Sequence, residues 1–232
     1  MARSLQGLAA IALVLSSATA SQATPLPPGG SVSGTSAGNQ VSTITGTVVA
    51  ATPFSDAAFF ILTGSGPIAG FVSSAAVKTS GPDLDFVYQV IVSGGNVTGV
   101  SISSFHNIVT DVTQTADRSG LSGVNQFTAG NVPVTTYTRS GTTGDTISLS
   151  FAGAGIGAEQ SSFLVIVQTN SQTYTMDTAH INVNNSISGS LNVTAVAPVP
   201  EPATFALWGG TFAGFGCCIA GRRRKLHAGA AS

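Results

Sequence analysis

Residues Asp145 to Phe151 read DTISLSF, with Ile147, Leu149 and Phe151 on one side of an extended chain and Thr146, Ser148 and Ser150 on the other. Side chains alternate across a strand, so this period of two describes a strand with one face in a core and one in water. The stretch 186–195 repeats the pattern, with Ile187, Leu191 and Val193 expected inward. Phe163-Leu164-Val165-Ile166-Val167 is apolar on both sides, which suits a central strand covered on two faces.

Outward from these, 86–92 and 97–105 flank Ser93-Gly94-Gly95-Asn96, and the turn residues predict a hairpin between them. Further strands are expected over 41–51, 58–62, 68–77, 108–115 and 134–138, separated by Gly, Pro, Asn and Asp at short intervals. No segment shows a helical stripe. The sum is an all-β domain over 41–197, an antiparallel β-sandwich of jelly-roll or immunoglobulin-like type. The Pro/Gly/Ser-rich residues 21–40 are expected to be a flexible leader that joins the first sheet only at its end.

Both ends of the chain differ from this middle. Arg3, the apolar run 8–15 and Ala18-Thr19-Ala20 have the three-part layout of a secretory signal over 1–20, cut between Ala20 and Ser21. A second small-residue site, Ser21-Gln22-Ala23, would extend it to 23. At the other end, 203–221 carries no formal charge. As a helix it would be about 28 Å long, close to a hydrocarbon core. Arg222, Arg223, Arg224 and Lys225 follow at once, and such clusters stay cytoplasmic, so the domain is expected across the membrane from them. Pro200 and Pro202 disfavour helix before the span and leave Glu201 on an extended segment.

Val199-Pro200-Glu201-Pro202-Ala203-Thr204, an apolar helix and an Arg run resemble the PEP-CTERM sorting signal of Gram-negative bacteria, over 198–225. The resemblance implies Sec-type export, transient residence in the inner membrane, and processing by an exosortase, a membrane-embedded cysteine transpeptidase or protease that cuts near the Pro-Glu-Pro segment. It also implies an association with exopolysaccharide, at the cell surface or in the extracellular matrix. The chain departs slightly from the pattern in continuing to Ser232.

Charged residues are only 7% of the chain, so Ser, Thr, Asn and Gln must make the surface polar. Between the end segments, Lys78, Arg118 and Arg139 face Asp56, Asp83, Asp85, Asp111, Asp117, Asp145, Glu159 and Asp177, a net charge of −5. Nucleic-acid binding, which depends on basic patches, is not expected. Gly153, Gly155 and Ala158 satisfy a dinucleotide-binding fingerprint, but a strand starting by Phe163 leaves no room for the helix that the fingerprint needs, so a loop is expected.

No enzyme chemistry is expected either. His106 and His180 are isolated, no G-x-S-x-G elbow surrounds a serine, and the only cysteines, Cys217 and Cys218, lie in the tail. Glu159 has no evident acid partner for glycoside cleavage. Asp83 and Asp85 follow Gly81-Pro82 and could offer oxygens to calcium, yet the rest of an ion loop is missing and a polar turn is the plainer reading. Arg118 is expected in a surface turn, paired with Asp117 or Asp111. Sequons stand at Asn96, Asn184 and Asn192. No cofactor is expected. The functional expectation is an exported structural protein of the surface or matrix, with a carbohydrate-binding or adhesive module as the alternative and a secreted hydrolase third.

Overall fold

The computed structural model describes residues 23–199, apart from 36–38, 54–57, 64–65, 122–123, 125 and 183–189. The expected signal at 1–20 with its Ala20–Ser21 junction, Pro200, Glu201, Pro202, the span 203–221, Arg222 to Lys225 and Asn184 lie outside the described residues. Among the described residues no helix is long and apolar enough to cross a membrane.

The strands in chain order are β1 (Thr24–Pro25), β2 (Ser31–Ser33), β3 (Thr47–Ala51), β4 (Ala58–Thr63), β5 (Gly66–Lys78), β6 (Leu84–Gly94), β7 (Gly99–Ile102), β8 (Thr110–Thr115), β9 (Val134–Arg139), β10 (Ile147–Phe151), β11 (Gln160–Ser161), β12 (Leu164–Thr169), β13 (Tyr174–Asn182) and β14 (Ser190–Pro198). They form two antiparallel sheets. The larger has the order β1-β8-β12-β6-β5-β3, with β11 added on β6 and β4 on β5; the other runs β14-β13-β7-β10-β9-β2. The pairs β9·β10, β8·β12 and β7·β13 nest one inside the next along the chain. The architecture is all-β and sandwich-like.

The alternation in β10 does what its sequence predicts: Ile147, Leu149 and Phe151 are buried between the sheets, and on the other face Ser148 Oγ meets Ser101 Oγ at 2.9 Å. Strand β12 lies between β8 and β6 and is covered on both sides. Val165 and Val167 join the core between the sheets, while Leu164 and Ile166 join a second core with Ile44, Leu121 and Phe127. The segment over that second core is held by buried Gln89, whose Nε2 donates to Thr128 O and Ser162 O (both 2.9 Å) and whose Oε1 accepts from Thr128 N (2.9 Å).

The expected hairpin between 86–92 and 97–105 does not form. Its strands exist, but β6 belongs to the larger sheet and β7 to the other. The edge of β6 that a hairpin partner would take is occupied by β11 and β12, with Glu159 N bonding Val92 O at 2.8 Å. Gly95, at φ +73°, turns the chain across, where a Cβ would sit 2.6 Å from Ile68 Cγ1. The segment 21–40 is likewise more than a leader. Strand β1 pairs with β8 in one sheet, β2 with β9 in the other, and Leu26 between them is fully buried.

Leu26 is fixed through Arg139, the buried last residue of β9. Nε donates to Gly144 O (2.7 Å), Nη1 to Leu26 O (3.1 Å) and Thr110 Oγ1 (2.9 Å), and Nη2 to Phe105 O (2.6 Å) and Ile108 O (2.7 Å). All five N–H groups are thereby used. Burial pulls its pKa below the ordinary arginine value. Two residues earlier, the buried Tyr137 hydroxyl has no partner among the described residues. Arg139→Leu takes a donor from four carbonyls, of which Leu26 O keeps Thr110 Oγ1 and Phe105 O keeps Ile108 N, and is expected to cost about 3–5 kcal/mol. Tyr137→Phe removes an orphan and is expected to be neutral or to stabilise by up to about 1 kcal/mol. Urea unfolding of the two variants checks the contrast; equal losses would contradict these roles.

Candidate functional sites at the chain exit and the acidic groove

Strand β14 leads straight into the Pro-Glu-Pro segment, and three side chains hold it. Tyr88 Oη donates to Val196 O (2.8 Å), and Val196 N donates to Ser74 Oγ (2.8 Å), which is itself bonded to Thr52 Oγ1. Burial keeps the Tyr88 hydroxyl well above the usual tyrosine pKa, with Asp177 adding to the shift, so it is a constant donor. Val199 N bonds Thr173 O (3.2 Å), and Ser171 Oγ donates to Thr173 O (2.9 Å) and Val199 O (3.0 Å). Val199 is therefore hydrogen-bonded to the domain through both its N–H and its C=O.

Asp83 and Asp85 stand at the turn between β5 and β6 and at the start of β6, as a polar turn before a strand would place them. Register then adds a residue that spacing could not reveal. Asp85 is opposite Gln168, and Gln168 is opposite Asp111, so the three form one row across β6, β12 and β8. With Asp83, Thr45, Thr79 and Asn170 they line an open groove of about 500 Å³. Asn170 is fixed by Val109 N, which donates to its Oδ1 at 3.0 Å. Burial pushes the Asp85 carboxyl up to about 6, the Asp83 charge adds to this, and a hydrogen bond from Gln168 opposes it. Among the described residues no group of three or more His, Cys, Asp or Glu is placed to hold a metal ion.

The remaining candidates fall elsewhere. The glycine fingerprint is a turn between β10 and β11: Ile156 bridges Val97, and Gly155, at φ +81°, brings its Cα where a Cβ would meet Val97 O at 2.2 Å. Close backbone approach thus explains the glycine. Arg118 donates to Phe127 O (2.6 Å) rather than to either aspartate. Asp117 accepts instead from Ser119 N and Oγ, bonds that hold its carboxyl below the usual range. His106 is exposed, Ser104 of the same loop donates to Asp177 at a φ of +76°, and His180 stands opposite Ser101 and Asn192 in the sheet. Asn96 is half-buried beside Gly157. Ser171 and Asp111 were not legible as site residues, since each acquires its place only through pairing across the fold.

No protein-family model matches this chain, and no curated protein or solved structure is significantly similar to it.

Because the folded pKa of Asp85 lies above its unfolded value, the ionised carboxylate destabilises the fold. The penalty is absent below about pH 4 and complete above about pH 6–7. Wild type is therefore expected to lose about 1–2 kcal/mol relative to Asp85→Asn as pH rises through that window, allowing for solvent screening. Paired thermal melts at pH 4, 5, 6 and 7 check this; a pH-independent difference would contradict it.

Proposed function

We propose that this chain is an exported structural protein of the cell surface or extracellular matrix, delivered by Sec-type export and released by an exosortase near Pro200-Glu201-Pro202, within an exopolysaccharide-associated assembly. The observation that carries the reading is the unbroken order of Val199-Pro200-Glu201-Pro202, nineteen charge-free residues at 203–221 and Arg222 to Lys225. In this reading the apolar span holds the precursor in the inner membrane, the cations keep its end cytoplasmic, and the prolines hold Glu201 extended at the outer face. The hydrogen bonds on Val196 and Val199 support it, because a cut beyond Val199 would leave both sheets whole. We read the nested strand pairs as a jelly-roll type of sandwich rather than an immunoglobulin-like one.

A second reading, a carbohydrate-binding module, is favoured by the groove of Asp83, Asp85, Asp111, Gln168 and Asn170, whose planar polar groups suit sugar hydroxyls. Against it, Tyr88 and Tyr137 are buried, which leaves Tyr174 as the exposed tyrosine, away from that groove. Neither reading gives this chain a catalytic role or a cofactor of its own.

Replacing Pro200, Glu201 and Pro202 together by alanine is expected to leave membrane insertion intact and to block processing, so that precursor accumulates in the inner membrane of an exosortase-bearing host. Neutralising Arg222 to Lys225 is expected instead to disturb topology. Fractionation with an antibody to the β-domain reads both. Processing of the triple alanine variant at the wild-type rate would overturn the sorting reading.

A further inference from the structure

Strands β3 and β4 lie along the same side of β5: Thr47 to Ala51 face Lys78 to Ala75, and Ala58 to Thr63 face Phe71 to Gly66. Together they make one sheet edge, interrupted between the pairs Ala51–Ala75 and Ala58–Phe71. Natural edges are protected by charge, proline or a bulge. The β3 half ends opposite Lys78, whereas β4, Ala-Phe-Phe-Ile-Leu-Thr, has neither charge nor proline.

Proline on the neighbouring strand fixes which backbone groups of β4 point outward. Pro67 has no N–H and faces Leu62, which makes that pair a non-hydrogen-bonded one. Alternation then gives the same position to Phe60 and Ala58, so the backbone N–H and C=O of all three point away from β5. The same residues carry the exposed side chains: Phe60 is 60% and Leu62 is 76% exposed, while Phe59 faces the core at 4%. Among the described residues, β4 pairs with β5 alone.

We propose that β4 is a homotypic docking edge, on which β4 of a second copy pairs antiparallel about a two-fold axis and makes the larger sheet continuous through both molecules. Charge selects the occupant. The domain is net negative, so two copies repel over most of their surfaces, but β4 and the Gly66 to Phe71 stretch that it pairs carry no formal charge. A charged partner would find no counter-charge there, whereas a second copy brings an identical neutral edge, with Phe60 and Leu62 of each packing on the other. Six residues span about 20 Å, and such a contact covers far less than the ~800 Å² per partner of a standard stable interface. Pairing is therefore weak in dilute solution and effective where copies are held close together, as on a surface. This inference does not depend on how the chain is exported.

The test uses the full chain in detergent, with Cys217→Ser and Cys218→Ser, and one new cysteine at a time: Ala58→Cys, Phe60→Cys or Leu62→Cys, with Val109→Cys as an equally exposed apolar control (65%) away from β4. Under mild oxidation the β4 cysteines are expected to form disulfide dimers roughly tenfold faster than the control, and Leu62→Lys added to Phe60→Cys to bring the rate down to it. Circular dichroism confirms that each variant is folded. Rates equal to the control, rates unmoved by Leu62→Lys, or cross-links mainly to some other protein would each overturn the proposal.

Discussion

Arg139 is where the fold closes. A guanidinium in a buried position is costly unless its donors are met, and here five acceptors from three separate stretches converge on it without a carboxylate among them. Oriented carbonyl dipoles replace the counter-ion. Because Leu26 O and Thr110 Oγ1 share Nη1, the same group joins the residue after β1 to β8 and the end of β9. The loops before β8 and after β9 are tied by Phe105, Ile108 and Gly144.

The two ends of the folded chain are thus secured by different chemistry. At the N-terminal end a cation gathers carbonyls around Leu26, while at the C-terminal end hydroxyls of Tyr88, Ser74 and Ser171 hold Val196 and Val199. Between them, strands β6 and β12 of the larger sheet are buried on both faces and supply a core with few charges. Loss of residues beyond Val199 leaves the pairing of β13 with β14 and the bonds to Val196 and Val199 in place. That separation of module from address is the physical basis of the proposed sorting.

How much of this was legible in the sequence depended on whether a segment's environment is one-sided. The alternation of Ile147, Leu149 and Phe151 and the two-sided run Leu164 to Val167 announce their burial directly, since the period of a strand carries that information, while Phe163 just before the strand is only half-buried. The hairpin expectation at Gly94-Gly95 failed because a turn-rich link does not say whether the next strand pairs beside the last or crosses to the other sheet. Strands of two and three residues, such as β1 and β2, are too short to show any period. At the groove, Asp83 and Asp85 were visible as neighbours, but Asp111 joined them only through Gln168 across two ladders. Arg139 shares the parity of Tyr137 on β9, a signal that was present but reads at first as a charge at a strand end.

In the proposed sorting, the residues after Val199 are an instruction removed from the exported protein. Intact-mass spectrometry of the protein recovered from the cell surface tests it most directly. The expected species ends at or close to Pro200-Glu201-Pro202 and lacks Trp208 and Arg222 to Lys225. Surface protein that still carries Trp208 and the cation cluster would make 203–221 a permanent anchor and contradict the account.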